Sequence, residues 1–482
     1  MRSLLTIVAC LAAAAAGAAE PRTNVLFIMA DDFRVEASPW GSPALTPNLD
    51  RLAARATRFD AAYCQQAVCN PSRSSMLTGR RPDSIGLWSN SVHFRERLPD
   101  VVTLPHRFRL SGYETRCVGK IFHNWHTKEQ GDARAWSAPE FLHYANHGDD
   151  VAVVAGPPPP NQVTGVPGVR KYGQVTMTEC RDVPDEAYYD GRVAAEAVRA
   201  LKEIKDRPFF LAVGFWKPHA PFNAPAKYWS LYRREQFKDY DGRRPAGAPE
   251  QAFHESSEIL GKGRAPTADE AAEMRHGYFA NISYLDAQVG KVLAALEASG
   301  AAARTLVVFV ADHGYHVGEH TLWGKTSNFE YDARVPMLVA LPGQSRGAVT
   351  RSFAELVDLY PTLLDVCGIR SDDKLEGVSL TPVLRDPAAA VKAAAVTQHP
   401  RPAYFDRSKD GRPTTMGYSV RTKDGRYTEW RDWTTGQPVA REFYVAADEP
   451  AETVNRVEDP AFAAAVRTAE QALLALHPRQ AR

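Results

Sequence analysis

Four short apolar runs, each ending in charged residues, constrain this chain more than any other feature. They are residues 24–30 (NVLFIMA), 113–118, 208–215 (PFFLAVGF) and 305–311 (TLVVFVA). Each has the length and unbroken apolarity of a strand buried on both faces, as in a parallel sheet covered by helices. Between them, 190–205 and 280–299 carry apolar residues at three- and four-residue spacing, the helical pattern. Strands alternating with helices predict an α/β sandwich. Asp31 and Asp32 follow the first strand, Lys120 and His123 the second, Lys217 and His219 the third, Asp312 and His313 the fourth. Ligands of open α/β sheets bind at the carboxyl ends of the strands. A charged loop after one strand is ordinary; four strands aiming such groups at one edge define a candidate site.

The ends and the loops add limits. Arg2, the apolar stretch 4–16 and the small residues around Gly17 read as an export signal over 1–19, so the chain is expected to be exported, to the periplasm or the medium. The catalytic domain is then expected over 20–385. Strand-like runs at 417–421 and 426–430, the turn Lys423-Asp424-Gly425 and a final helix at 460–476 suggest a smaller α+β subdomain over 386–482. The segments 145–185 and 240–270, rich in Gly and Pro, read as surface excursions. Lys and Arg total 58 against 57 Asp and Glu, which argues against a broad nucleic-acid or anionic-membrane surface. Without Cys10, five cysteines remain: Cys64, Cys69, Cys117, Cys180 and Cys367. An odd set in an exported protein asks for an explanation.

The stretch CNPSRSSMLTGR, residues 69–80, carries the most chemistry. Asn70 followed by Pro71 predicts a helix start, a capping side chain and then proline at the first helical position. Cys69 would lie beside the free N–H groups of that end, as a low-pKa thiolate or as a buried structural cysteine. Cys-x-Pro-Ser-Arg followed by Leu-Thr-Gly-Arg resembles the maturation motif of type I sulfatases, in which the cysteine is oxidised to formylglycine. VGKIFH, GFWKPHAPF, ADHGYHVGEH, TQHPRP and MGYSVRT extend the resemblance over nearly the whole mature chain, towards the iduronate-2-sulfatase branch.

The resemblance implies an alkaline-phosphatase-like sandwich with a large, mostly parallel central sheet. It implies a divalent metal, usually Ca²⁺, held by Asp31, Asp32, Asp312, His313 and residue 69. Arg73 and Lys120 would then hold the formylglycine and sulfate oxygens, and His219 and Lys325 the sulfate and the leaving oxygen. His123 would take a proton from the second formylglycine hydroxyl. The implied partners are a formylglycine-generating enzyme and a sulfated saccharide, with 2-O-sulfated uronic acid the best single reading. A phosphonate or phosphodiester hydrolase of the same superfamily, or a choline-sulfatase-like enzyme, is the alternative. His316 to His320 fits the zinc-protease pattern H-x-x-E-H, but Gly314, Gly318 and Gly324 argue against the helix that pattern needs. Asn281 heads a formal glycosylation sequon inside a helical pattern. Trp40, Trp88, Trp125 and Trp323 are read as core rather than sugar platforms, and Glu355, in an apparent helix, stays unassigned.

Overall fold

The computed structural model describes residues 22–123, 131–141, 178–254 and 265–481; the expected export signal, Trp125 and most of the 145–185 excursion lie outside them. Seven strands form the central sheet: β1 (Asn24–Asp31), β2 (Thr57–Phe59), β3 (Glu114–Gly119), β4 (Phe209–Pro218), β5 (Thr305–Ala311), β6 (Met337–Ala340) and β7 (Ala348–Thr350). Their spatial order is β7-β2-β6-β5-β1-β4-β3. The four expected strands are its parallel heart, β3 beside β4, β4 beside β1 and β1 beside β5. Only β6 runs against the rest, antiparallel to both β5 and β2. Every residue of β1, β4 and β5 is buried, so both faces of the sheet are covered.

Four helices frame the site and its surroundings: α1 (Cys69–Thr78), α2 (Tyr189–Ile204), α3 (Ala268–Ala298) and α4 (Ala463–Leu476). The helices α2 and α3 pack on each other and on β4, while α1 packs against the short helices Leu104–Leu110 and Leu359–Val366. The start of α3 lies twelve residues before the expected one. Thr267 and Glu270 form a capping box there, and the charged turn after it hides the apolar periodicity.

The C-terminal part holds more strand than expected. β8 (Ala395–Arg401), β9 (Thr415–Arg421), β10 (Gly425–Asp432) and β11 (Pro438–Val445) form an antiparallel meander, on which α4 packs. Val420, Tyr427, Phe443, Ala469 and Leu473 make its core. Glu355 is not helical: it lies in a two-residue strand and accepts from Arg81 (2.7 and 2.8 Å) and Lys392 (2.7 Å), a buried structural anchor. The sequon residue Asn281 is fully buried inside α3. All five described cysteines are free.

Candidate active site

The carboxyl ends of β1, β3, β4 and β5 meet at the amino end of α1, and almost every expected site residue arrives there. Asp31 ends β1, and Asp32 follows with φ of 60°. That left-handed conformation is strained for most side chains and tolerable for aspartate. Tyr278 of α3 holds it by donating to the Asp32 carbonyl (2.8 Å), and Asp32 N–H donates to Asp312 (3.2 Å). Cys69 is the first residue of α1, and Val68 takes the cap position expected of Asn70. The Asn70 amide instead donates to the carbonyls of Ser89 (3.0 Å) and Val92 (2.7 Å), because that loop closes over the helix end and needs donors.

Cys69 Sγ lies 3.4 Å from Asp31 Oδ1 and 3.4 Å from His313 Nε2. Burial, reinforced by the Asp31 charge, pushes its thiol up to about 12. That direction is opposite to the one a thiolate beside free helix N–H groups would take. His313 Nδ1 donates to the Gly314 carbonyl (2.9 Å), which turns Nε2 toward Cys69 and Asp32 (3.5 Å).

Each carboxylate has its own cation. Lys120 pairs with Asp31, and Lys325 reaches both oxygens of Asp32 (3.0 and 3.1 Å). Arg73, fully buried, donates to Asp312 (2.8 Å) and to the carbonyls of Lys120 (2.5 Å) and Ile121 (3.1 Å). Its Nη2 lies 3.5 Å from Asp31 and makes no hydrogen bond. Burial works to raise the Asp31 carboxyl, yet Lys120 and Arg73 hold it well below the usual range. Burial and the charge of Asp31 push Asp32 well above it.

His219 Nε2 is 3.7 Å from Asp32, and its Nδ1 donates to the Ala220 carbonyl (2.5 Å). Burial first, then Lys325, lowers its pKa well below the ordinary value, so the imidazole is neutral. His123 is buried three residues past Lys120. Lys217 turns away from the centre, bonding Asn223 and the carbonyl of Pro221 (2.8 Å).

Two neighbours escaped the sequence reading. The Trp216 ring lies 4.2 Å from the Lys120 ammonium and 4.5 Å from the His219 ring. Tyr278 pins Asp32, as described. Both resemble ordinary core residues in the sequence. Trp216 does, however, immediately precede the charged end of its strand. The refused zinc-protease pattern is a short strand and a 3₁₀ turn, with His316 on Asp332 (2.7 Å) and His320 on the Ala451 carbonyl (2.6 Å).

With oxygens in place of Sγ, the donor set of two carboxylates, an imidazole and residue 69 could hold a divalent cation. Asp31, Asp32, Cys69 and His313 each offer one ligand atom, all within 4.8 Å of one another. Ca²⁺ bonds of about 2.3–2.6 Å put opposite ligands about 5 Å apart, so one ion fits among them. Sγ marks where the oxygens of a hydrated formylglycine would lie. Asp312 stands behind this set, engaged by Arg73 and by the backbone N–H groups of Asp32 and His313 (2.9 Å).

Family comparisons agree with this geometry. The Sulfatase family model matches residues 23–369, and the model for the C-terminal part of N-sulphoglucosamine sulphohydrolase matches 318–479. The chain belongs to the sulfatase family. Iduronate 2-sulfatase of Mus musculus is 31% identical, over 87% of this chain and 86% of its own. The enzyme of the same name from Homo sapiens is 30% identical, over 90% and 91%. The phosphonate monoester hydrolase of Agrobacterium radiobacter shares the fold with a TM-score of 0.74 at 22% identity, covering 94% of this sulfatase and 95% of the hydrolase. The protein is therefore a sulfatase with the alkaline-phosphatase-like architecture, and the expected fold class holds.

Proposed function

We propose that this sulfatase is an exported enzyme that uses formylglycine at position 69 and one divalent cation, best read as Ca²⁺, to remove 2-O-sulfate from a uronic acid ending a glycan chain. The observation that carries the hydrolytic part is Cys69, buried at the start of α1 between Asp31 and His313 and ringed by Arg73, Lys120 and Lys325. A hydrated formylglycine supplies two hydroxyls on one carbon, one to attack sulfur and one whose deprotonation later expels sulfate. The cation, when bound, polarises the oxygens of residue 69 and of the sulfate.

The remaining roles follow from the chain's own groups. Asp312 is assigned to favour loss of a proton from residue 69, and Arg73 holds its carboxylate by donating to it (2.8 Å). Lys120 and Lys325 neutralise charge on the sulfate oxygens as the ester bond breaks. Neutral His219 has its Nδ1 proton committed to Ala220 and only a lone pair at Nε2, so the proton for the leaving oxygen is assigned to the Lys325 ammonium, with Nε2 able to accept it and hand it on. His123 is assigned the proton of the second hydroxyl. The uronate part is supported by the likeness to iduronate 2-sulfatases along nearly the whole chain.

The test is a parallel assay of the matured enzyme on 2-O-sulfated unsaturated uronate disaccharide, 6-O-sulfated hexosamine, choline sulfate and a phosphonate monoester. We expect the uronate to lead in kcat/KM. A preference of about a hundredfold, roughly 2.7 kcal/mol, for another sulfate ester would overturn the substrate while leaving the sulfatase.

A further inference from the structure

A cleft of about 580 Å³ opens between the catalytic part and the C-terminal sheet, and none of the hydrolytic residues lines it. Its volume falls in the range of small-molecule sites, about 300–1,000 Å³. Trp88 and Trp433, both half-buried, meet edge to face in its wall, with ring centroids 5.1 Å apart at 89°. Tyr418 carries the Arg431 guanidinium 4.7 Å from its ring and the His477 ring at 4.7 Å.

The chemistry of this wall differs from that of the hydrolytic centre. Its charged lining is three carboxylates against two guanidiniums, so it gives no net attraction to sulfate. Its polar lining combines donors, Arg81 and Arg431, with acceptors, Asp83, Glu376 and Asp432. The partly exposed indoles of the lining offer apolar surface to the C–H faces of pyranose rings, and mixed donors and acceptors suit hydroxyl groups. The wall is also tied to the catalytic helix. Gln66 donates to the Trp88 carbonyl (2.7 Å), and Asn70 donates to the carbonyl of Ser89 (3.0 Å), the next residue.

We propose that this cleft is a second saccharide site, which binds uncharged sugar units of a glycan separately from the sulfate ester. The proposal does not depend on which sulfated sugar is hydrolysed. It is tested by calorimetry and saturation-transfer NMR on the full enzyme, with cello-, chito-, manno- and agarohexaose as probes. At least one should bind, and Trp433→Ala should weaken that binding by about tenfold or more. Ser84→Trp, which fills the cleft from an exposed position, should do the same without removing any packed ring. Turnover of 4-nitrophenyl sulfate, which needs only the hydrolytic centre, should stay within about twofold in both variants. No binding by any probe, or binding that survives both substitutions, overturns the proposal. So does binding that is lost only with Lys325→Ala, which would place the sugar in the hydrolytic centre.

Discussion

At the scale of single residues, the hydrolytic centre balances itself. Asp31, Asp32 and Asp312 face Arg73, Lys120 and Lys325, all buried, and His219 is neutral. With the Asp32 carboxyl raised by burial and by Asp31, the set without a metal is at most weakly positive. An added divalent cation makes the same set strongly positive, so sulfate affinity should rise with metal loading. Product inhibition by inorganic sulfate, measured after chelation and again after Ca²⁺ is restored, should weaken and recover together with activity. In Asp31→Ala the recovery should need far more Ca²⁺; recovery at the wild-type concentration would mean that Asp31 is not a ligand. Cys69→Ala should lower turnover by about a thousandfold or more with the melting temperature nearly unchanged, because it removes the nucleophile from a site that is already rigid. Most of these residues were legible because charge at the end of an apolar strand is conspicuous. Trp216 and Tyr278 were not, since an aromatic residue that positions a catalytic group looks the same in sequence as one that fills a core.

At the scale of elements, placement of Lys120 rests on a close approach of β3 and β4. Gly119, at φ 81°, lies opposite Gly214, and a Cβ on Gly214 would run into the Lys120 carbonyl. Gly214→Ala should therefore displace the backbone at Lys120, with a loss of stability of roughly 3 kcal/mol or more in chemical denaturation, and cut kcat of the protein that still folds; unchanged kcat would show that the approach is not needed. A second element carries a pH signature. Asp286 of α3 accepts from the backbone N–H groups of Asn48 (3.1 Å) and Leu49 (2.8 Å) and so docks the helix Pro47–Ala53. Burial raises its carboxyl to about 6, against about 3.9 in an unfolded chain. The native state thus takes up the proton first as pH falls, so this group's contribution is full below about pH 4 and lost as pH rises through 6. Relative to Asp286→Asn, the wild type should gain up to roughly 2–3 kcal/mol between pH 7 and pH 4 in urea unfolding; parallel curves would refute the assignment. The parallel heart of the sheet was legible because strands buried on both faces must be apolar throughout. Of the meander, β9 and β10 were legible, but β8 and β11 were not: Pro400 and the mixed residues of β11 blur the alternation that marks a half-buried strand.

At the scale of the molecule, the two parts are joined by buried charge. Arg426 of β10 donates to Glu452 (2.8 Å) and pairs with Glu330, which follows the Lys325 segment. Arg426→Met should leave two buried carboxylates facing each other and cost about 3–5 kcal/mol in chemical denaturation. An unchanged midpoint would show that the junction carries no load. The sealing of α1 reaches beyond energetics, into the order of events in the life of the chain. All ten of its residues are buried, and Cys69 is 1% exposed. A modifying enzyme has to reach the thiol, and the folded helix keeps it out of contact with solvent. On the proposed maturation, oxidation of Cys69 is expected to precede closure of the sheet, while the chain is still open. Treating the folded, unmodified protein with a maturing enzyme should leave the Cys69 peptide mass unchanged, whereas the same treatment of the unfolded chain converts it. A copy that folds before the proposed oxidation should stay well folded and inert.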